Sequence, residues 1–220
     1  MASSRYRRLL YILKYFSDTL QVRGTPASGK TTLAQLLGEH IRERDPTVNV
    51  IWVNGWPREE VAGMGGCRHY LEQKGWIDRE RTVFIFDEAQ LSYADWDLWN
   101  GFFRSIHDFK DRRAIAFVSY GSPTSPIEIG GTLITIMAPQ RVTLRPISHD
   151  DGLPSVGLFF SQDEFDDLVS KHYPPEKYFF DSSFFDALLL VTGGHIGAIS
   201  DFMEIITAHD VRPLFIWTEL

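Results

Sequence analysis

Residues 24–32 read Gly24-Thr25-Pro26-Ala27-Ser28-Gly29-Lys30-Thr31-Thr32, a full G-x-x-x-x-G-K-[ST] pattern. A glycine-rich turn that opens a helix aims backbone N–H groups at a phosphate chain, and the helix N-terminus adds its positive dipole end. Lys30 would reach the β and γ phosphates of a nucleotide, and the Thr31 hydroxyl would help hold Mg2+. Further along, Val83-Phe84-Ile85-Phe86 runs into Asp87-Glu88. Four apolar residues followed by an acid set a carboxylate at the carboxyl end of a buried strand, where ligands of open α/β sheets bind. Asp87 would hold the metal, directly or through water, and Glu88 would polarise an attacking water. Each pattern alone has a bland alternative: a glycine-rich surface turn, or a solvated strand end. Together in one chain, with one strand pattern between them, they point to a hydrolytic nucleotide site.

The elements that must position these residues follow from hydrophobic periodicity. Strands are expected at Thr19–Val22, Asn49–Val53, Thr82–Phe86, Ala114–Ser119 and Arg141–Leu144. Helical patterns separate the first four: Thr31–Arg44, Cys67–Lys74 and Asp95–Phe109, the last with Trp96, Leu98, Trp99, Phe102, Phe103 and Ile106 at helical spacing. That stripe reads as core rather than as a base-stacking platform. Alternating strand and helix imply a parallel sheet with helices on both faces. Runs such as Val83–Phe86 suit strands buried on both sides. Gly121 to Gln140 is a Pro/Gly-rich connection, in which Pro123 and Pro126 discourage a helix. The rhythm changes after residue 146. Ser161 with Glu164 forms a capping box for Gln162–His172, Ser182 or Ser183 would cap Phe184–Thr192, and His195–His209 follows the Gly193-Gly194 break. The expected organisation is a basic N-terminal helix at 1–17, a core at 18–146 and a small helical lid at 147–220.

Composition sets outer bounds. The chain has 220 residues, 44% of them hydrophobic, enough for one large domain or a domain with an appendage. A formal net charge of −7 gives no global attraction to nucleic acid or anionic membrane. The one cysteine, Cys67, excludes an internal disulfide framework, lacks neighbours at zinc spacing, and reads as structural. No apolar run is long enough to span a membrane. Arg5, Arg7, Arg8 and Lys14 precede the first acid, Asp18. Lys14 interrupts the short apolar stretch and no small-residue cleavage site follows, so a helix beside the first strand is expected over a targeting peptide or a phosphate or membrane contact. An intracellular location, cytoplasmic or nuclear, is the corresponding expectation. Phe215-Ile216-Trp217 brings apolar residues almost to the end, the pattern of a fragment with a truncated lid.

Further polar residues are candidates at the same site. Ser119, ending the fourth strand, could donate its hydroxyl to the γ-phosphate or orient water, with Ser122 as second choice; a plain strand-to-loop turn is the alternative. His195 could contact phosphate as a second sensor, or simply cap or pack a helix. Transition-state charge is often met by an arginine. Arg104, Arg141 and Arg145 are candidates among which the sequence does not choose. Gly63–Gly66, with Met64 inside it, reads as a flexible loop.

Several of these features resemble known families. The extra strand Asn49–Val53 between the loop and the Asp87-Glu88 strand resembles the additional-strand catalytic-glutamate division of P-loop ATPases. That resemblance implies an α/β, three-layer αβα P-loop NTPase fold with parallel strand order 5-1-4-3-2. The guanine-specific Asn-Lys-x-Asp and the transporter signature Leu-Ser-Gly-Gly-Gln are absent. Thr192-Gly193-Gly194-His195 resembles the lid signature of STAND ATPases and their AAA-like relatives, except that Ile196 stands where that signature has proline. Taken with Arg23–Thr32, Asp87–Gln90, Leu98–Asn100, Phe102-Phe103, Ser119–Pro123 and Gln140–Leu144, it makes residues 17–208 similar to the ATPase domain of Crinkler-type (CRN) effector proteins of fungi and oomycetes. The ubiquitin-like header and nuclease-like domain that often accompany that domain are not in this chain. Secretion as an effector would follow if a longer protein carries a header.

The expected function is Mg-dependent ATP binding and hydrolysis that drives a conformational switch, through a nucleotide-dependent homo-oligomer or a linked effector domain. In this reading Gly24 to Thr32 and His195 bind nucleotide, Thr31 and Asp87 hold Mg2+, and Glu88, Lys30 and Ser119 act on the γ-phosphate. Two alternatives stay open. One is an interaction module that binds ATP without hydrolysing it. The other is a fragment of a DNA-stimulated motor, suggested by Asp87-Glu88-Ala89-Gln90 but opposed by the short chain and its acidic balance. Nucleic acid is not an expected partner of this domain alone, nor is a membrane.

Overall fold

β-Branched and aromatic runs become strands where the sequence places them. In a computed structural model, which describes residue 9 and residues 18–119, 136–137, 140–146 and 157–208, β1 is Thr19–Gly24, β2 Asn49–Asn54, β3 Thr82–Asp87, β4 Arg112–Ser119 and β5 Arg141–Val142. The rest of the N-terminal helix pattern, Ser122, the 121–140 connection apart from residues 136, 137 and 140, and Phe215–Trp217 lie outside the described residues. All strand pairs are parallel. The order β2-β3-β4-β1-β5 is the expected 5-1-4-3-2 read from the opposite edge.

Side-chain alternation along the strands builds two cores, one on each face. Phe84, Phe86, Ala114, Ala116 and Val118 pack with Trp56, Trp76, Trp99, Phe102 and Phe103. Leu20, Val22, Ile85, Ile115 and Phe117 pack with Leu33, Leu37 and Ile41 of α1 (Lys30–Arg44), and with Leu9. The layers are therefore helix, sheet, helix, and both faces of β3 and β4 are buried. Burial, and the charges of Asp95 and Asp97, push the Cys67 thiol up to about 11, so it is a packed thiol rather than a reactive one.

Two local readings are corrected. Arg58–Gly63 forms a short helix, α2, ahead of α3 (Cys67–Gln73). The Gly63–Gly66 stretch closes the turn between them, with Gly65 and Gly66 donating N–H to Ala62 O at 3.1 Å and Val61 O at 2.9 Å. The expected regular helix Asp95–Phe109 is instead a one-and-a-half-turn π-helical segment, Asp97–Phe102, followed by short turns Phe103–Ser105 and Ile106–Asp108. The aromatic stripe explains the distortion. Trp99 is buried and donates its indole N–H to Ser92 O at 3.0 Å, while stacking on Phe103 at 4.6 Å. Widening the turn lets both rings and Phe102 reach the sheet, while Trp96, the one-end exception, stays half-exposed.

The chain divides into two compact units, residues 2–158 and 159–220. The second contains α4 (Gln162–His172), α5 (Ser182–Thr192) and α6 (Ile196–Ala208), packed on Phe165, Leu188, Ile199 and Met203. Its capping box forms as written: Ser161 Oγ accepts the Glu164 N–H at 3.4 Å, and Glu164 Oε2 accepts the Ser161 N–H at 3.0 Å. The cap of α5 is Asp181 rather than Ser182 or Ser183. Its carboxylate accepts the Ser183 N–H at 2.8 Å, a charge-assisted cap at the positive end of the helix dipole. Among the described residues no helix is long and apolar enough to cross a membrane.

Candidate functional site

The carboxyl edge of the sheet collects the polar residues that the strands cannot bury elsewhere. β1 ends at Gly24, and the loop turns directly into α1. Gly24 is closely packed: a Cβ there would lie 2.4 Å from Leu158 Cδ1 and 2.5 Å from Ser28 Oγ, so those side chains would have to shift. Gly29 supplies the left-handed backbone (φ 80°) from which α1 starts, and Leu33 donates back to its carbonyl at 2.9 Å. Ala27 also sits at positive φ (57°), an uncommon state for a residue with a Cβ. Ser28 is buried and donates its hydroxyl to Thr25 O at 2.8 Å, fixing the curvature of the loop. Pro26, Ala27, Thr31 and Thr32 are exposed along its outer rim.

Lys30 is buried, and its ammonium donates to Thr25 O at 2.8 Å and Gly24 O at 3.3 Å. Burial pushes its pKa below the ordinary lysine range, and the nearby carboxylates of Glu88 and then Asp87 work against that shift. The three groups singled out for phosphate, metal and water therefore share one electrostatic neighbourhood.

β3 delivers the acids. Asp87 is its last residue, buried, with Oδ1 accepting the Glu88 N–H at 3.1 Å. Glu88 adopts the left-handed conformation (φ 52°), so the chain leaves the strand in a tight 3-10 turn, Ala89–Ser92. Strain of this kind at a strand end is a mark of functional positions. That turn brings Gln90 back beside Glu88, a contact that hydrophobic patterning does not foresee. Gln90 is buried; its amide nitrogen donates to Glu88 Oε2, and its oxygen accepts the Ser119 N–H at 3.1 Å. Ser119 ends β4 in register with Gly24 of β1. Loop, acids and Ser119 thus stand on three adjacent strands, β1, β4 and β3.

Other candidates fall elsewhere. His195 belongs to the helical unit, where its Nδ1 accepts the Ala198 N–H at 3.1 Å and caps α6, and where its ring meets Phe159 at 5.2 Å. Capping and packing are thus the roles the structure displays for it. Arg141 and Arg145 are exposed around β5, and Arg104 is exposed on the segment after β3. Among the described residues, no group of three or more His, Cys, Asp and Glu side chains gathers as a metal site.

No protein-family model matches this sequence, and no curated protein does. Solved structures do. The chain is similar to a replication initiator, DnaA, bound to AMPPCP and single-stranded DNA, at a TM-score of 0.51 and 14% identity over 94% of this chain and 60% of that one. It is similar to the Aeropyrum pernix Orc1 protein in complex with DNA at a TM-score of 0.50 and 14% identity, again over 94% and 60%. The chain thus spans about three-fifths of the length of these proteins. At that identity the likeness is one of fold: a five-stranded parallel sheet between helices, the three-layer P-loop NTPase arrangement.

Proposed function

We propose that this chain binds ATP on Gly24–Thr32 and hydrolyses it. The observation that carries the reading is the convergence of a buried lysine and two adjacent acids, Lys30, Asp87 and Glu88, where the β1 loop enters α1 and β3 ends. Loop amides and Lys30 hold the phosphates. The Lys30 ammonium, once turned from its loop carbonyls to the β and γ oxygens, offsets their charge. Glu88 orients water in line with the γ-phosphorus and takes its proton, and Ser119 donates to a γ oxygen. The Asp87 carboxylate and Thr31 hydroxyl are hard oxygen donors suited to Mg2+, would hold it through few protein ligands, and there it would supply positive charge to the phosphate oxygens. DnaA, one of the similar structures, holds an ATP analogue, which supports the choice of ligand.

The output is a switch rather than ATP consumption. In this reading residues 18–146 are the ATPase core and residues 147–220 its helical lid. The motif set supports an AAA/STAND-like module of the Crinkler type, working through a nucleotide-dependent oligomer or a linked effector domain inside the cell. Both similar structures contain DNA, but this chain's net charge of −7 gives it no global attraction to nucleic acid, which is not an expected partner of this domain alone. DNA-stimulated hydrolysis would reverse that point, and a rise in mass on adding ATP, read by light scattering, would support assembly.

The decisive comparison is wild type against Glu88→Gln. The variant should bind ATP as wild type does and lose about 100-fold or more in kcat, the usual contribution of a general base. Equal turnover by both removes Glu88 from the chemistry. Turnover by neither, with binding intact, favours the non-hydrolysing interaction module.

A further inference from the structure

Gln90 has a place in this site that its sequence position does not suggest. It lies two residues beyond Glu88, in a turn that a strand-helix pattern would treat as connection. Yet it is buried, and both ends of its amide are engaged. The orientation of that amide is fixed by its partners. A backbone N–H can be met only by an acceptor, so Oε1 must face Ser119, and the NH2 group must face the Glu88 carboxylate. Glu88 Oε2 is thereby occupied and Oε1 is left for a second partner.

The other end of the link is equally specific. Ser119 is the last residue of β4, and it stands in register with Gly24, where the phosphate-binding loop begins. A small displacement of the β4 end relative to β1 would move the Ser119 N–H. It would then move the Gln90 amide, and with it the rotamer of Glu88. Gln90 is buried, only 7% exposed, and held at both ends of its amide, so such a displacement is passed on rather than taken up by a swing into solvent.

We propose that Gln90 is a positioning residue that ties the orientation of the Glu88 carboxylate to the end of β4, so that water is activated only when the strand beside the phosphate loop is in place. The inference rests on the reading of Glu88 as the group that orients water. Gln90 does not touch the nucleotide; it acts through Glu88.

The test is Gln90→Met, which keeps length and apolar volume and removes both hydrogen bonds. Its kcat should fall about 10- to 100-fold, the range typical when a partner that orients a functional ligand is lost, while KM and the affinity for a non-hydrolysable ATP analogue stay within about twofold. The double variant Glu88→Gln/Gln90→Met should be no slower than Glu88→Gln alone, because a residue acting through Glu88 has nothing left to orient. Hydrogen exchange followed by NMR supplies a readout apart from turnover. In the nucleotide-free wild type the Ser119 amide should exchange slowly, and in Gln90→Met it alone among the β4 amides should accelerate.

Wild-type kcat in Gln90→Met, or losses that multiply in the double variant, would overturn the proposal. So would a Ser119 amide that exchanges rapidly in wild type, a measurement that stands even if the variant does not fold. A wild-type chain that binds ATP without turning it over, slow Ser119 exchange notwithstanding, overturns the reading of Glu88 and this inference with it. Turnover lost in Glu88→Gln but unchanged in Gln90→Met overturns only the inference.

Discussion

At the amino edge of the sheet, Asp18 meets Arg113 at 2.6 Å, Asp45 meets Arg81 at 2.8 Å, and Asp78 pairs with Arg112. At the carboxyl edge of the same strands, Lys30 is buried against carbonyl oxygens of its own loop, and Asp87 is buried with the Glu88 N–H as its hydrogen-bond donor. The first edge neutralises its charges locally with partners supplied by neighbouring loops. The second holds Lys30 beside Asp87 and Glu88 with no ion pair between them among the described residues. Among the described residues, two of the three non-glycine positions at positive φ, Ala27 and Glu88, also lie at the carboxyl edge. The contrast separates a part of the sheet arranged for stability from a part arranged for a ligand, since unmet charge and strain persist only where the surrounding fold over-determines them.

Opposite substitutions at the two edges should break the contrast or sharpen it, and the largest effect is expected from Lys30→Met. Nucleotide affinity should fall by about 2–5 kcal/mol, roughly 30-fold to several-thousand-fold, the range for truncating one partner of a buried charged contact. The nucleotide-free chain should not be destabilised. The sign follows from the lowered pKa. The unfolded lysine keeps its proton up to 10.5 and the folded one releases it earlier, so between the two values the unfolded chain binds more protons and wild-type stability rises with pH relative to Lys30→Met. Denaturant melts of both chains on the alkaline side check this. A Lys30→Met chain that melts early and binds nucleotide normally would reverse the assignment of the two edges.

Arg112→Ala should do the converse. Its guanidinium is buried, lies 3.8 Å from the Phe109 ring centroid and 4.9 Å from that of Trp76, and reaches out to Asp78. Losing a desolvated cation–π contact and the packing of the stem should cost about 2–4 kcal/mol of stability, read as a lower denaturation midpoint. Nucleotide affinity, measured well below that midpoint, should stay unchanged. A loss of affinity without a loss of stability would mean that the amino edge also serves the ligand.

The two edges were not equally legible in the sequence. The strands and the loop could be read because apolar runs and glycine spacing are direct consequences of burial and backbone geometry, whereas the strand order came from the family resemblance. The capping box at Ser161 was legible for the same reason, since its acceptor and donor sit three residues apart. Less could be read where side chains bend the backbone. Nothing local in Asp95–Phe109 says that Trp99 will reach Ser92 and open a π-helical turn, and with Asp181, Ser182 and Ser183 all competent caps the pattern does not say from which one the helix starts. At the site, Lys30, Asp87, Glu88 and Ser119 were named from motif and strand position, and the structure sets them along one edge. Gln90 was visible as a letter but not as a partner, because its contact depends on the left-handed turn at Glu88. The signal that could have found it is a glutamine two residues after a strand-end acid, in a run otherwise fit for burial. For His195 the motif pointed toward phosphate, whereas the residue just before a helix is also where a side-chain acceptor caps, and the cap is what the geometry shows.

The smallest expected effect tests whether strain at the carboxyl edge belongs to the site. Ala27 (φ 57°) and Arg79 (φ 73°) both hold left-handed backbone, the first in the phosphate loop and the second beside Asp78 at the amino edge. Left-handed backbone costs a residue with a Cβ about 1–2 kcal/mol, while glycine loses about 0.5–1 kcal/mol more conformational entropy on folding. Ala27→Gly and Arg79→Gly should therefore each change stability by about 0–1.5 kcal/mol, in the stabilising direction, seen as a slightly higher denaturation midpoint. Their effects on nucleotide should differ. Arg79→Gly should leave affinity alone, because relieving strain there touches only the turn into β3. Ala27→Gly frees a loop whose amides must be preset for phosphate, so ordering it falls to the binding step and affinity should drop a few-fold even as the chain grows more stable. If both variants keep wild-type affinity, the strain at Ala27 is incidental and the contrast between the edges rests on charge alone. If both lose it, the turn at Arg79 is coupled to the loop through β3, and the two edges work as one device.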